Sequence, residues 1–422
     1  MTKKKFLSFI DLFAGCGGLS LGLEQAGFTP IYVNELNKDA LATYLYNRKE
    51  NKNIHDPKFS SQDILGLTDT SGNLQKLQTE IKKTYGLNKG DLDLIVGGPP
   101  CQGFSGIGHR RNYGVERRRL PYNFLYKKMI KVIDFFQPKI FLFENVKGLI
   151  SAKWTKNGKK GEVLKDVQKS FLQLDNYFRD TAILHSKDYG VPQNRPRIFI
   201  IGIRKDLNFI PMLNKVASGL LPEKDINQYP DAEDLLNDLL DKNYSKTLKT
   251  EKYLINPKNN IQKKLRTKKN KTTFFKKGDW LQEQDYSKHS DKIVQKFIFM
   301  IKNNSLIPKG MQTKKFSQKV IPGKWNRKRG PNITATSLPD DYVHYKQPRI
   351  LTVREWARLQ MFPDWYVFKG KRTTGGKRRA GNPKDNIWDR DVPKYTQIGN
   401  AVPVELSRRI GENFKSLLKK LA

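Results

Sequence analysis

An α/β fold, built on a doubly wound and mostly parallel sheet with a second, smaller domain inserted, is the class this sequence predicts. Three observations carry that expectation. An apolar run at the N-terminus passes through a glycine-rich turn into a helical period. Two later apolar runs each end in chemically reactive residues. Between the two halves lies a long basic stretch with little apolar periodicity. At 422 residues the chain also exceeds what one ordinary core holds. The expected boundaries are 1–205 for the first part of the α/β domain, 206–346 for the insert and 347–422 for the return.

The elements follow in order. In "FLSFIDLFAGCGGLSLGLEQAGF", Phe6 to Phe13 suits a buried strand, Gly15, Gly17 and Gly18 form a turn, and Leu19 to Ala26 has helical spacing. Strand, glycine turn and helix make the first unit of a nucleotide-type α/β fold, in which the backbone lets a ligand approach and the helix N-terminus offers free N–H groups. The next apolar run, "PIYVNE", ends in Glu35, an acid spaced to meet ribose hydroxyls. "AGCGG" lacks the G-x-G-x-x-G spacing and no GK[ST] follows, so an adenosine-bearing cofactor without phosphates fits better. "SQDIL" adds Asp63 and Ile64; the carboxylate could meet an adenine amino group or simply cap a helix.

Further strands are expected at "LDLIVGG" and "KIFLFENV", separated by a helix with Leu125, Met129, Val132, Ile133 and Phe136 on one side. The first runs into "GGPPCQGFSG", which places Cys101 in a stiff, glycine-punctuated loop, where functional residues collect. The second delivers Glu144 at its C-terminal end. Parallel strand ends converge on the ligand crevice, so Cys101 and Glu144 are expected to share one pocket. At the end of the chain, Leu406, Ile410, Phe414, Leu417 and Leu421 fall on one helical face, which should pack on the first strand–helix unit and bring Asn400 to the cofactor.

Charge and cysteine content narrow the function classes. Lys and Arg number 79 against 41 acidic residues, a net +38, which reads as a polyanion partner, nucleic acid before anionic membrane. Two cysteines exclude a disulfide framework or a Cys-based zinc site and suit a reducing cytoplasm. No signal-peptide pattern or membrane-length apolar run is found, and no metal site is expected.

Six stretches, in order, resemble the DNA cytosine-5 methyltransferases of bacterial restriction–modification systems: "DLFAGCGGLSLGLEQAGF", "GGPPCQGFS", "FENVKGL", "YGVPQNRPRIFIIGIR", "RILTVREWARLQMFPD" and "YTQIGNAVPVELSRRIG". The resemblance implies a class I S-adenosylmethionine-dependent methyltransferase fold, Rossmann-like, with the insert as a target recognition domain. It implies that Phe13, Gly15, Gly17, Leu19, Glu35, Asp63, Ile64, Pro99, Leu125, Asn400 and Val402 contact S-adenosylmethionine, released as S-adenosylhomocysteine. Cys101, Glu144, Arg195 and Arg197 would handle the cytosine, and Gln193 would lie against DNA. The expected partner is double-stranded DNA, with a cognate restriction endonuclease acting independently, no membrane, and a monomeric chain. A tRNA cytosine-5 methyltransferase and a catalytically silent DNA-binding protein are the alternatives. The large insert argues against the first, and the intact Cys101, Glu144 and Arg197 against the second.

These residue types suit that chemistry. Carbon 5 of cytosine is a poor nucleophile until a thiolate adds to carbon 6, and an acid at ring N3 offsets the developing charge. The planar donors of Arg197, and of Arg195, match a carbonyl oxygen and a phosphate. A stacked base is unreachable, so it must be flipped out. Arg110, Arg111, Arg117, Arg118 and Arg119 follow Cys101 in a glycine-punctuated segment, expected to be a lid closing on DNA phosphates. In the insert, Phe274, Phe275, Trp280 and Trp325 lie among lysines, a pattern compatible with DNA contact.

Overall fold

The computed structural model describes residues 6–100, 118, 120–225, 230–312, 318–324, 332–333, 339–374 and 391–421. Its centre is a seven-stranded sheet made of β1 (Leu7–Leu12), β2 (Phe28–Asn34), β3 (Ser60–Ser61), β4 (Leu94–Gly97), β5 (Ile140–Val146), β6 (Tyr177–His185) and β7 (Pro196–Arg204). The order is β3-β2-β1-β4-β5-β7-β6. The first five strands are parallel, while β7 runs antiparallel to both β5 and β6. The order reverses between β1 and β4, so the crevice at their C-terminal ends is the topological switch point, where ligands bind in such sheets.

Helices α1 (Gly18–Ala26), α2 (Lys38–Tyr46) and α3 (Ile64–Thr68) follow β1, β2 and β3 in turn. The central strands are apolar on both faces, as parallel strands covered by helices must be. On one face Ile10, Leu12, Ile95, Phe141 and Phe143 meet α4 (Asn73–Tyr85), α5 (Tyr126–Phe136) and α6 (Glu162–Phe171). On the other, Phe9, Val96, Ile140 and Leu142 join the core that contains α1 and the C-terminal helix Val404–Lys420. The expected stripe on that last helix is buried: Leu406, Ile410 and Phe414 are inaccessible and Leu417 nearly so. It packs directly on α1. A Cβ placed on Gly22 would come 2.5 Å from the Val404 carbonyl oxygen, and one on Gly411 would come 2.7 Å from Ala26 Cβ.

The sheet is complete at Arg204, beside the expected boundary, and nothing described between 205 and 346 adds a strand to it. The insert carries the helices Ala232–Leu236, Tyr244–Thr247, Asn260–Arg266 and Asp291–Lys302. Lys319–Val320, near its end, pairs with Tyr342–Val343 in a small parallel ladder. Its apolar side chains do not form an isolated core. Leu220, Leu235, Tyr253, Leu265 and Ile333 belong to the same cluster as Phe9, Trp356 and Phe414. Strand β6 is among the elements that apolar patterning misses: "YFRDTAILH" is an edge strand, half-buried along most of its length, with no clean alternation.

Candidate active site

The end of β1 is built for close approach. Phe13 adopts φ 57, a left-handed conformation that a bulky side chain takes only under constraint. Gly15 follows at φ 58, and a Cβ there would meet nothing within 4 Å, so the loop faces open space. Gly17 and Gly18 face inward instead. A Cβ on Gly17 would lie 2.9 Å from Arg48, Tyr366 and Tyr44, and one on Gly18 would lie 2.5 Å from the Val402 carbonyl oxygen. Leu19, in α1, is buried. Cys16 is buried too; its thiol donates to the Gln397 carbonyl oxygen at 3.3 Å, and burial pushes its pKa up to about 12.

Glu35, just past β2, closes the loop. Its two carboxylate oxygens accept the Gly15 and Asn37 N–H groups, each at 2.8 Å. Burial raises its pKa and these two donors oppose the rise. Asp63 is exposed, and its Oδ1 accepts the Leu65 N–H at 2.9 Å as the cap of α3; the capping reading therefore holds for one oxygen. Ile64, Pro99, Leu125 and Val402 are buried or partly so, while the Asn400 side chain is exposed. Loop, acid and apolar flank fit an adenosine-bearing group without phosphates.

Beside this loop, β4 and β5 present the second half of the crevice. Glu144 is 9% exposed, and its Oε1 lies 2.7 Å from Arg197 Nε. The N–H does not align along that vector, so the contact is an ion pair rather than a well-formed hydrogen bond. Burial raises the carboxyl pKa, and Arg197 and Arg195 pull the other way; the net direction is up. Register explains the pairing: Val146 of β5 lies opposite Arg197 of β7. The Gly98 backbone presses on the same carboxylate, since a Cβ there would sit 2.8 Å from Glu144 Oε2. Asn145 Nδ2 donates to the Pro99 carbonyl oxygen at 3.2 Å and ties the start of the cysteine loop to β5. Cys101 itself, with Arg110, Arg111, Arg117 and Arg119, lies outside the described residues, as does Trp325; Arg118 is exposed.

Two residues of the Q-x-R-x-R stretch stand differently from expectation. Gln193, expected against DNA, is completely buried. Its amide donates to Leu359 O and Gln360 Oε1, both at 2.8 Å, and accepts the Ile333 N–H at 3.1 Å. With both ends of the amide committed inside the protein, it presents nothing to a duplex. Arg195 is also inaccessible. One Nη donates to Ile333 O, and the other reaches Gly399 O at 2.8 Å and Asn400 O at 3.2 Å. Its two Nη groups therefore hold main-chain carbonyls, whereas Arg197 lies against Glu144.

Sequence reasoning missed a buried ionic lattice. Arg266 Nε donates to Asp238 at 2.7 Å, Arg358 donates to Asp238 and Asp364 at 2.6 Å each, and Tyr253 OH donates to Asp364 at 2.6 Å. Arg349 grips Glu355 with two bonds of 2.8 and 2.6 Å, holding that carboxyl down at about 2. Each of these side chains is at most 5% exposed. The T-x-x-E of Thr352 and Glu355, a capping box, was the available signal for where the helix Val353–Leu359 begins.

Comparison with known proteins follows the same lines. A family model described as C-5 cytosine-specific DNA methylase matches residues 7–416. The chain is 31% identical over 419 residues to Type II methyltransferase M.DdeI of Desulfomicrobium norvegicum, covering 96% of this chain and 88% of that one. It is 30% identical to Type II methyltransferase M.XorII of Xanthomonas oryzae, covering 97% and 85%. Among solved structures, a prophage-encoded Escherichia coli protein described as a DNA modification methyltransferase superposes with a TM-score of 0.65 at 23% identity, over 98% of this chain and 99% of the other. A methyltransferase of Entamoeba histolytica reaches 0.51 at 15%, with the same coverage. At those identities the superpositions speak for the fold alone.

Proposed function

This chain belongs to the C-5 cytosine-specific DNA methylases, and from that premise we propose how its own residues carry out the reaction on duplex DNA. The observation that carries the reading is Glu144, buried at the end of β5 with Arg197 at 2.7 Å and, against it, the backbone of Gly98, three residues before Cys101. Burial raises the pKa of this carboxyl, which eases its taking up a proton to share with cytosine N3 once the base is in place. Arg197 fixes its orientation and has donors left for the carbonyl oxygen of the same base. Cys101 adds as thiolate to carbon 6, which makes carbon 5 nucleophilic; carbon 5 takes the methyl group, loses its proton to a base, and elimination across carbons 5 and 6 releases Cys101 as thiolate. Arg195 and Gln193 act as positioning residues, holding Ile333, Gln360 and the Asn400 segment around the pocket.

S-adenosylmethionine supplies the methyl group. Glu35 would take the ribose hydroxyls, the Phe13–Gly15 turn would lie along the ligand, and Ile64, Pro99, Leu125 and Val402 would flank the adenine and sulfonium. The open space at Gly15 and the acid held by two backbone donors support this fit. The Type II names of the relatives support a role in protecting host DNA beside a separate endonuclease. The segment 206–346 would choose the target site.

Duplex DNA carrying 5-fluorocytosine tests the mechanism. Fluorine cannot leave carbon 5 as a cation, so elimination stalls and the protein stays attached through Cys101. A detergent-stable adduct mapping to the Cys101 peptide, and absent in Cys101→Ser, is expected. Methylation of ordinary DNA without any trapped species overturns the covalent route.

A further inference from the structure

The segment that follows Glu144 carries a feature that neither the base pocket nor the cofactor loop uses. From the end of β5 the chain makes a 3-10 turn, Lys147–Ser151, and then a loop to Gly161 before α6 begins. Lys147, Lys156, Lys159, Lys160 and Lys165 are all exposed along it. Lysines on a surface are ordinarily a solvated face. Three observations set these apart.

The loop is built rather than slack. Trp154 is buried and stacks on Phe124 with ring centroids 5.0 Å apart and planes 9° from parallel. The Gly161 N–H donates to Ala152 O at 3.2 Å. Gly161 takes φ 84, which only glycine adopts freely.

The acids of the segment are committed to its frame rather than paired with these lysines. Glu162 accepts the Trp154 and Lys159 N–H groups at 2.6 and 3.1 Å, and Asp166 accepts the Trp154 indole N–H at 2.6 Å. Both carboxylates are thus turned onto the frame of the loop. Among the described residues none of the five exposed ammonium groups has a carboxylate partner.

The loop also adjoins the turn Pro121–Phe124. Phe124, on which Trp154 stacks, lies at the end of the turn Pro121–Phe124, directly before Leu125 of the cofactor side. The charge of Arg118 acts on the Glu162 carboxylate. Lys147 directly follows the C-terminal end of β5, and the loop carrying Lys156, Lys159 and Lys160 is tied through Trp154 to the turn that leads to Leu125.

We infer that Lys156, Lys159 and Lys160, flanked by Lys147 and Lys165, form a fixed ledge for the phosphate backbone of duplex DNA beside the flipped base. The inference rests on the DNA-methylating reading above. A rigid loop of unpaired ammonium groups binds phosphates without reading sequence, and a fixed surface costs less ordering on binding than a mobile one. The ledge holds one strand while the target nucleotide turns toward Glu144.

The test is a salt titration of binding to a duplex without a target site, by fluorescence anisotropy, using the full chain. For the triple variant Lys156→Ala, Lys159→Ala, Lys160→Ala, the slope of log affinity against log salt should fall by about 2 to 3, at ~0.9 for each phosphate no longer neutralised. A control triple on α4, Lys76→Ala, Lys82→Ala, Lys83→Ala, removes the same charge from exposed positions of a helix that leads toward the N-terminal end of β4. Its slope should change by less than about 1 on the same scale. Replacing the three ledge lysines by arginine should restore the slope, and the methylated site should be unchanged in every variant. Equal slope changes in the ledge and control triples overturn the ledge while leaving the reading of the enzyme intact. A wild-type chain that neither binds nor methylates duplex DNA overturns both.

Discussion

Substituting Gly98 by alanine isolates the geometry of the proposed acid. The added Cβ would sit 2.8 Å from Glu144 Oε2, inside van der Waals contact by about half an ångström or more. The atom in the way is the end of a side chain, so the fold loses little: overpacking of this kind costs about 1–3 kcal/mol. That side chain is held 2.7 Å from Arg197, however, and it has no room to yield without leaving that partner. A general acid contributes about 10²–10⁴ to rate, and a displacement approaching 1 Å forfeits on the order of 10². Gly98→Ala should therefore lower kcat by about 10- to 100-fold while leaving cofactor affinity and DNA affinity within about a factor of two. Methyl incorporation under saturating substrates, with calorimetric binding and a thermal scan on the same preparation, separates these quantities. The reasoning fails if a folded Gly98→Ala protein turns over at the wild-type rate, or if its loss of rate merely tracks a loss of folded protein.

Other contacts carry expectations of their own. Gly22→Ala would drive a Cβ to within 2.5 Å of the Val404 carbonyl oxygen, whereas in α3 a Cβ on Gly66 meets nothing within 4 Å. The first should destabilise by ~1–3 kcal/mol and the second should stabilise by up to about 1 kcal/mol, opposite signs that denaturant melts of the two variants will read. Burial, opposed by its Ser20 hydrogen bond and Arg48, raises the pKa of Asp11 to about 7. The folded protein thus prefers the neutral acid, and stability should fall as pH rises from about 4 to 7, then level off. Asp11→Asn should remove that slope and gain on the order of 4 kcal/mol at pH 8, checked by melts across the same range. Asp238→Ala strips Arg266 and Arg358 of their shared buried carboxylate, so it should cost about 3–5 kcal/mol. Asp63→Ala removes only an exposed cap bond and should cost about 1 kcal/mol.

How much of this was legible depended on what each residue faces. The glycine turn, Glu35, Glu144 and the C-terminal stripe were readable because each rests on a local rule: a left-handed turn, a strand end, a helical period. Gln193 and Arg195 turn inward, away from where the stretch alone suggested, for a related reason. They sit in a Q-x-R-x-R stretch beside the base pocket, and polar side chains near a pocket are expected to point into it. Whether a side chain turns inward to a carbonyl or outward to a ligand depends on which segment passes behind it. The partners here, Ile333, Gly399 and Asn400, are more than 130 residues away in sequence. No local pattern encodes that.

The helix Val353–Leu359 makes the physical point most sharply. Arg354, Glu355 and Arg358 are charged residues of a kind usually found at the surface, yet all three are fully buried. The helix lies between the insert, which offers Asp238, Gln282 O and Leu235 O, and the return, which offers Asp364, Pro363 O and Tyr366 O. Burying a guanidinium is tolerable only where such partners meet it, so each arginine is satisfied in one arrangement of insert and core and in few others. The apolar side chains that insert and core share hold the two parts together with less directional demand. On the proposed reading, in which the insert chooses the cytosine and the core attacks it, a fixed distance between the two is needed. Ions that cannot be re-paired after a small slip supply it, at some cost in stability. The same logic accounts for Gln193 and Arg195: both ends of the former and the donors of the latter bind backbone of the insert and of the return, next to the pair Glu144–Arg197. On the proposed reading, positioning of the Glu144–Arg197 pair falls to buried polar contacts between segments distant in sequence, and the exposed charge is left for the DNA.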